Sequence, residues 1–179
     1  IAMDSGYTVV DSFKTGNGYE ADEHDLQLLP NGHALLMAYD PQPVAMDAIV
    51  PGGDPNAQVL GLIIQEIDAA KNVVFQWRSW DHFQITDMIE CTGLLTAPLI
   101  DYVHGNAIEL DTDGNILLSA RHMSEITKID RQSGDILWRL GLNAKNNEFT
   151  FLDDPRGFSH QHDIRRQPNG HITLFDNGN

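Results

Sequence analysis

One segment, HDLQLLPNGHALLM (residues 24–37), decides the fold because its layout occurs three times in the chain. It returns as NAIELDTDGNILLS (residues 106–119) and as HDIRRQPNGHITLF (residues 162–175). In each copy a glycine stands eight residues after the first position, within a Pro-Asn-Gly or Asp-Gly-Asn turn. Glycine adopts positive φ without strain, so each copy predicts two short strands joined by a tight hairpin turn. The three turn glycines are Gly32, Gly114 and Gly170.

A second hairpin follows the first two copies. The segments IIQEIDAAKNVVFQW (residues 63–77) and EITKIDRQSGDILWRL (residues 125–140) both place an Ile-Asp pair before a polar turn and a Trp in the next strand. Two hairpins in succession make a four-stranded unit, and units of this size that repeat every few tens of residues are typical of β-propeller blades. The predicted fold class is therefore all-β, with the chain forming blades of a propeller.

The whole chain, residues 1–179, is predicted to be part of a single propeller domain. It would hold about two complete blades, the first half of a third, and a tail, YTVVDSFKTG (residues 7–16), that resembles the last strand of a preceding blade. Propellers need about 4–8 blades, so we expect this chain to be a fragment. Residues 41–56 and 81–98 are predicted to be surface loops. A β-sandwich is the alternative, since it also uses short strands and turns, but the internal repeat favours the propeller.

Composition restricts the partners. With 41% hydrophobic residues the chain can build a core, and it has no apolar run long enough to span a membrane. The net charge of −15 repels phosphate backbones, so we expect no nucleic-acid partner, and an anionic substrate would need a local basic pocket. Cys91 is the single cysteine, which excludes an internal disulfide.

A polar pair of the form X-x-Z opens every repeat. Residues two apart in a strand point to the same face, and the first strand of each blade lines the central channel of a propeller. We therefore expect six polar groups to meet at one opening. Single histidines at strand starts are usually ordinary surface residues, whereas three equivalent pairs are harder to explain by packing. The pairs are Asp22 with His24, His104 with Asn106, and His160 with His162.

Other basic residues are assigned less directly. Arg121 ends the second strand of a repeat, and its planar guanidinium suits a tetrahedral oxyanion, although a surface salt bridge would explain it equally well. Arg165 and Arg166 alternate along a strand, so both cannot face the channel. His33 and His171 are interpreted as exposed hairpin residues, and His82 and His122 could be either functional or structural, with the structural interpretation favoured for both.

Four motifs together resemble the bacterial-type arylsulfotransferases that work without a nucleotide sulfate donor. They are EHDLQLLPNG (residues 23–32), DYVHGNAIELDTDGNILLSAR (101–121), ITKIDRQSGDILWRLG (126–141) and HQHDIRRQPNGHITLFDNG (160–178). The resemblance implies a six-bladed propeller and a ping-pong reaction, in which a histidine takes the sulfuryl group of an aryl sulfate and passes it to a phenol.

The resemblance also implies a set of site residues. The nucleophile of the family follows a glutamine, which makes it His162 behind Gln161, with His104, His24 and Arg121 as further catalytic groups. Asn106 is implied to bind the sulfuryl group, and His160 is a neighbour that would orient or bind substrate. The partners expected are small aryl sulfates and phenols, with no cofactor and no metal, in a periplasmic or secreted protein. Whether the chain forms a homo-oligomer is left open.

Three rival interpretations remain at this point. A metal-dependent sulfate or phosphate ester hydrolase could use His160, His162 and Asp163, although their spacing does not match a standard site. A quinone-dependent dehydrogenase has similar Trp-containing strand endings, but only two tryptophans occupy equivalent positions here. A non-catalytic propeller that serves as a binding platform is the third.

Overall fold

The computed structural model describes residues 1–178, and in this range the protein is all-β, with short 3-10 helices and no α-helix. No helix in this range is long and apolar enough to cross a membrane. The strands are β1 (Ala2–Met3), β2 (Val9–Asp11), β3 (Ala21–Leu28), β4 (Ala34–Val44), β5 (Ala57–Ile67), β6 (Val73–Arg78), β7 (Leu99–Asp101), β8 (Gly105–Leu110), β9 (Ile116–Ala120), β10 (Glu125–Ile129), β11 (Ile136–Leu140), β12 (His162–Arg166) and β13 (Ile172–Phe175). The 3-10 helices span Met46–Ala48, Ser79–Asp81, Ile85–Asp87, Thr92–Thr96 and Arg121–Met123.

The strands form antiparallel sheets in the order that the repeat predicts. The first sheet runs β3-β4-β5-β6, with β7 added parallel to β5, and the second runs β8-β9-β10-β11. The third repeat contributes the hairpin β12-β13. The turn glycines Gly32, Gly114 and Gly170 have φ of +80°, +86° and +85°, so each occupies the left-handed conformation that a side chain would strain. The predicted hairpins are therefore confirmed.

The sheets stack face to face around a continuous core. Leu35 and Ile64 of the first sheet share one buried cluster with Ile116 and Leu118 of the second. The intervening residue of β9, Leu117, points the other way and packs in a second cluster with residues that include Ile164 of β12. The second sheet is thus covered on both faces, which explains why β9 and β10 are buried at every position instead of alternating.

The first strands of the three repeats, β3, β8 and β12, lie side by side and are joined by side chains. The backbone N–H of Ile108 donates to Asp25 (3.0 Å), and that of Leu110 donates to the side-chain carbonyl of Gln27 (2.6 Å). Arg165 of β12 donates to the same Asp25 carboxylate (3.2 Å) and to the Ile108 carbonyl (3.3 Å). Since the contacts advance along β3 and β8 together, these two strands run in the same direction. The repeat starts therefore come close together.

Residues 41–56, predicted to be a surface loop, are only partly a loop. β4 continues to Val44, and its last four residues pair with β5 as far as Ala57, so the prediction is wrong for residues 41–44. β3 pairs with β4 only as far as Ala38, which leaves the other edge of β4 open beyond that point. Proline has no N–H to donate, and an open edge is where a strand tolerates it. Pro41 and Pro43 therefore do not end the strand.

Residues 81–98 contain no strand, but they are not simply a surface loop. Phe83 and Met88 from this segment are buried in the main core, and Asp87 is buried as well. The segment closes the core between the first and second sheets, so its prediction as a surface loop is wrong for these residues. The N-terminal tail forms no part of a larger sheet, because β2 pairs with β1 in a two-stranded sheet of their own.

A buried ion-pair network joins the second and third repeats. The Asp111 carboxylate, at the end of β8, receives Lys128 Nζ (2.8 Å) from β10 and the Arg166 guanidinium (2.7 and 2.6 Å) from β12. Burial alone would raise the pKa of Asp111, but the hydrogen bonds from Arg166 and Lys128 bring that pKa well below its usual range. Lys128 also pairs with Asp113, whose side chain is 50% exposed.

We expect Asp111→Asn to lower the free energy of unfolding by about 3 kcal/mol, because it removes the charge partner of Arg166 and leaves the buried Lys128 with the exposed Asp113 alone. Urea denaturation at pH 7 measures this change. Because the folded-state pKa of Asp111 is depressed, its contribution is present above the ordinary Asp pKa and is lost as the pH falls through the folded value, so the variant and the wild type should converge in acid. The matched control, Asp113→Asn, should cost less than about 1 kcal/mol, as for an exposed pair. Equal losses in the two variants would contradict the assignment.

Candidate active site

Four imidazoles and one guanidinium gather where the repeats begin. The rings of His24 and His104 meet edge to face with their centroids 5.2 Å apart, and the ring of His122 lies 4.6 Å from that of His104. His162 lies close enough to His24, His104 and Arg121 for their positive charges to lower its pKa. These five side chains, His24, His104, Arg121, His122 and His162, are called the histidine cluster below. The prediction that the repeat starts converge is confirmed for His24, His104 and His162.

The backbone around His104 places the second repeat in the cluster. His104 has a φ of +49°, an unusual value for a residue with a Cβ, and it turns the chain sharply into β8. The next residue, Gly105, packs so closely on Leu62 of the first sheet that an added Cβ would lie 2.6 Å from a Leu62 methyl carbon. The N–H of Arg121, directly after β9, donates to the His104 carbonyl (3.1 Å). The end of β9 and the start of β8 are thereby held together.

The prediction that both members of a polar pair share a face holds for Asp22 and His24, whose side chains meet, and is wrong for the other two pairs. Asn106 is 5% exposed and donates through Nδ2 to the Gln161 carbonyl (2.8 Å), beneath the cluster. His160 is 6% exposed, and its Nε2 lies 3.7 Å from Glu90. His104 and His160 both have left-handed backbones (φ of +49° and +50°), and strand alternation does not pass through such a residue.

Gln161 anchors the third repeat to the second. Its buried side-chain amide donates to Ser119 Oγ (3.1 Å), to the Ala120 carbonyl (3.2 Å) and to the Glu125 carbonyl (3.0 Å), which spans the β9–β10 turn. Its own carbonyl accepts from Asn106. A fully buried residue with this many partners has one position, so the following residue, His162, is held at a defined place at the start of β12.

Carboxylates orient two histidines of the cluster. Asp22 Oδ1 lies 2.7 Å from His24 Nδ1 and also accepts the His24 backbone N–H (2.9 Å). Asp101 Oδ2 lies 2.7 Å from His104 Nδ1, and its Oδ1 accepts the His104 backbone N–H (2.9 Å). A carboxylate on Nδ1 requires a proton there, so Nε2 of each ring is directed away from its aspartate. These two histidines can accept a proton on Nε2 while a carboxylate compensates the charge.

Backbone carbonyls orient the other two. His162 Nδ1 lies 3.0 Å from the His160 carbonyl, and His122 Nδ1 lies 2.5 Å from the Asp101 carbonyl. A carbonyl only accepts hydrogen bonds, so both rings carry their proton on Nδ1 and present an unprotonated Nε2 when neutral.

Electrostatics keep these two rings neutral. The pKa of His162 is lowered by burial, with further lowering by the charges of Arg121, His104 and His24. Burial likewise lowers the pKa of His122, and the neighbouring His104 adds to this effect. At neutral pH, His162 therefore presents a lone pair on Nε2, which is the form of imidazole that acts as a nucleophile.

Arg121 is the positive charge of the site. Within residues 1–178 its guanidinium forms no ion pair. The alternative interpretation of Arg121, a surface salt bridge, is therefore wrong for this part of the chain. Arg165 and Arg166, by comparison, bind Asp25 and Asp111 respectively, so they hold the repeats together on different sides of β12. An uncompensated guanidinium beside neutral imidazoles is suited to an oxyanion.

The histidines outside the cluster have structural surroundings. His33 was predicted to be exposed, but it is half-buried and its Nδ1 lies 2.6 Å from Glu66, so this prediction is wrong. The Glu66 carboxylate also pairs with Arg131 of the second repeat. His171 is exposed as predicted. His82 stacks on Trp77 with ring centroids 5.1 Å apart.

The metal-site alternative does not match the arrangement of its residues. Asp163 is exposed and pairs with Arg165 (2.9 Å), whereas His160 is buried against Glu90. A different trio does gather, since Asp101, His104 and His122 have potential ligand atoms within 4.8 Å of one another. In that trio both Nδ1 atoms are already hydrogen-bonded to Asp101. These hydrogen bonds orient the two imidazoles, and they occupy both Nδ1 atoms.

Three residues of the site were not predicted from the sequence. His122 was interpreted as structural, and Asp101 and Tyr39 were not considered, although the Tyr39 hydroxyl donates to Asp101 (3.2 Å). A signal did exist for Asp101: each of the first two repeats carries an aspartate shortly before its first clustered histidine. It stands two residues before His24 and three before His104, so the repeat alignment does not superimpose the two.

We expect His162 to titrate below the ordinary imidazole pKa of about 6.5. Arg121→Gln should raise the titration midpoint, because it removes a positive charge that lowers the pKa of His162. NMR titration of the His162 ring signals measures both values. Arg156→Gln is the control, since Arg156 is exposed and is not among the groups that shift His162. A midpoint at or above 6.5, or one that Arg121→Gln leaves unchanged, would contradict this description of the site.

Comparison with known proteins agrees with the geometry. A scan against protein families matches residues 6–179 to the family described as arylsulfotransferase (ASST). A search of curated proteins gave no match. The match covers nearly the whole chain and includes every member of the histidine cluster. The chain belongs to the arylsulfotransferase family.

Proposed function

We propose that the protein transfers a sulfuryl group from an aryl sulfate ester to a phenol through a covalent intermediate on His162. The observation that carries the proposal is the state of His162: its Nδ1–H is held by the His160 carbonyl, its pKa is lowered, and Arg121 stands nearby. A nucleophile is thus placed beside an uncompensated positive charge, which is the pairing that transfer of an anionic group requires.

We further propose that the stacked sheets are blades of a six-bladed β-propeller. Three features support this: successive repeats stack face to face, their first strands lie side by side, and each repeat contributes a clustered histidine from the beginning of its first strand. A β-sandwich would have two sheets packed on each other, whereas here the second sheet is covered on both faces. The histidine cluster then lies at the mouth of the central channel.

In the first half-reaction, Nε2 of His162 attacks the sulfur of the aryl sulfate. The N–S bond forms as the S–O bond to the aryl group breaks, and the phenolate leaves with the bonding electrons. Negative charge spreads over the sulfuryl oxygens in the transition state, where the Arg121 guanidinium stabilises it. The leaving phenolate takes a proton from Nε2 of His24 or His104, whose imidazolium charge is compensated by Asp22 or Asp101.

The second half-reaction reverses these steps with a different phenol. The imidazole that lost its proton now accepts the proton of the acceptor hydroxyl, and the phenol oxygen attacks the sulfur. The S–N bond breaks, which returns His162 to its neutral form. Phenolates are stable leaving groups, so an aryl ester needs less assistance than an alkyl ester, and this explains an aryl preference.

The buried residues have supporting roles in this scheme. Asn106 was expected to bind the sulfuryl group, but its Nδ2 holds the Gln161 carbonyl in this structure. His160 supplies the carbonyl that fixes the His162 tautomer. We propose that both position the nucleophile.

We expect a mass increase of one sulfuryl group on His162 when the protein is incubated with 4-nitrophenyl sulfate in the absence of an acceptor phenol. His162→Ala should abolish both the adduct and the steady-state release of nitrophenol, because His122, the other ring whose Nδ1 is held by a backbone carbonyl, is 6% exposed and packs against His104. Peptide mass spectrometry locates the adduct. Mildly alkaline conditions are used because they preserve the N–S bond of the modified histidine.

His171→Ala is the matched control, because His171 is exposed in the equivalent hairpin region of the same repeat and should be dispensable. An unmodified His162 with unchanged turnover in His162→Ala would contradict the proposal and favour a non-catalytic binding platform. Loss of turnover on addition of a chelator, with recovery on addition of zinc, would instead favour the metal-dependent hydrolase.

A further inference from the structure

We propose that Asp101 is a positioning residue that sets the tautomers of two cluster histidines, His104 and His122, from a single point. This inference deepens the proposed function and its catalytic consequence rests on it, while its structural content can be tested separately. Asp101 was not among the predicted site residues. It would hold the pair through two chemically different groups, its side-chain carboxylate and its backbone carbonyl.

The carboxylate holds His104 by two contacts. Oδ2 accepts from the ring Nδ1 (2.7 Å) and Oδ1 accepts from the His104 backbone N–H (2.9 Å). The hydroxyl of Tyr39 donates to Oδ2 as well (3.2 Å). Burial, together with the nearby Asp101 charge, raises the pKa of Tyr39, so its hydroxyl keeps the proton that it donates. The His104 ring therefore has one stable orientation, with the proton on Nδ1.

The carbonyl of the same residue holds His122, whose Nδ1 lies 2.5 Å from it. One residue thus determines where both rings lie, and their centroids are 4.6 Å apart at an angle of 32°. His122 is 6% exposed, whereas the His104 side chain is 27% exposed, so His122 forms the wall against which His104 rests. A ring that is held on Nδ1 and packed on one face cannot flip without breaking both contacts.

The backbone of Asp101 is itself fixed by the first sheet. β7 pairs in parallel with β5, with Ile100 opposite Val59 and Asp101 opposite Leu60. Ile100 is fully buried in the main core. Asp101 therefore belongs to the sheet of the first repeat by pairing, while the histidines that it holds belong to the second repeat. This arrangement ties two histidines of the second repeat to the sheet of the first repeat.

The consequence for the reaction follows from the tautomers. With Nδ1–H engaged, the Nε2 of His104 is free to exchange a proton with the leaving or attacking phenol. An asparagine at position 101 has an amide N–H that can donate to Nδ1, which then becomes the acceptor and moves the ring proton to Nε2. The known effect of such a change in an Asp-His pair is a large loss of turnover with little change in geometry, worth about 10⁴-fold in serine proteases.

The direct test is a long-range ¹H–¹⁵N correlation experiment on histidine-labelled wild type and Asp101→Asn. We expect His104 to change from the Nδ1–H to the Nε2–H tautomer in the variant. His122 should keep its Nδ1–H tautomer in both, because the backbone carbonyl that it binds is still present, and it therefore serves as the internal control. The dispersion of the same spectra shows that the variant is folded.

Activity provides the second measurement. With 4-nitrophenyl sulfate as donor and phenol as acceptor, Asp101→Asn should lower kcat by at least about 100-fold, while the KM for the donor stays within a few-fold. The exposed Asp163→Asn is the matched control and should leave both constants near those of the wild type. Tyr39→Phe removes one donor to Asp101 and should cost only a few-fold in kcat, with the His104 tautomer unchanged.

The outcomes separate this inference from the proposed function. An unchanged His104 tautomer in Asp101→Asn overturns the positioning role, whatever the activity. A changed tautomer in a protein that transfers no sulfuryl group supports the positioning role and overturns the proposed function instead. A wild-type spectrum in which zinc, added in equimolar amount, shifts both His104 and His122 and blocks turnover would assign the trio to metal binding and overturn the inference.

Discussion

The site depends on one buried side chain, that of Gln161. Its amide N–H groups span the β9–β10 turn of the second repeat with three hydrogen bonds, and the backbone carbonyl of the same residue accepts from Asn106 at the start of β8. These contacts join the third repeat to the second at the level of the histidine cluster. Removing them would leave several buried polar groups without partners, so the join has little freedom to move. The position of His162 is a direct consequence.

The charge pattern around this join is opposite to that of the whole molecule. The chain carries a net charge of −15, and many of its acidic groups are exposed. At the repeat junctions, however, Asp25, Glu66 and Asp111 form ion pairs with arginines from other repeats. Arg121 has no ion pair within the described range, and it lies next to imidazoles that burial keeps neutral. A local site for an oxyanion can therefore exist within an acidic protein.

The four rings of the cluster fall into two kinds, according to the group that accepts the hydrogen bond from Nδ1. Carboxylates hold His24 and His104, so these rings can carry charge, whereas carbonyls hold His122 and His162, so these rings stay neutral. Sulfuryl transfer needs both kinds, since one group must attack as a neutral lone pair and another must move a proton. The fold supplies this division with short-range contacts, within two or three residues in three of the four cases.

Much of the fold could be predicted from the sequence because turn residues mark the ends of the strands in each repeat. The turn glycines and the strands around them are local features, and the structure places them as expected. The orientation of Asn106 and His160 could not be predicted, since it depends on left-handed residues that a period-two pattern does not reveal. His122 and Asp101 were missed for a related reason. Their meeting depends on the pairing of β7 with β5, a long-range contact made by a three-residue strand with no repeat equivalent.

If His162 carries the sulfuryl group from an aryl sulfate to a phenol, pre-steady-state kinetics will detect the covalent intermediate. Mixing the protein with excess 4-nitrophenyl sulfate in a stopped-flow instrument, without acceptor, should release a burst of nitrophenolate with an amplitude of about one equivalent per site. Addition of phenol should then restart release at the steady-state rate. A linear trace with no burst, whose rate depends on the concentrations of donor and acceptor as for a single ternary complex, would rule out a covalent intermediate on His162.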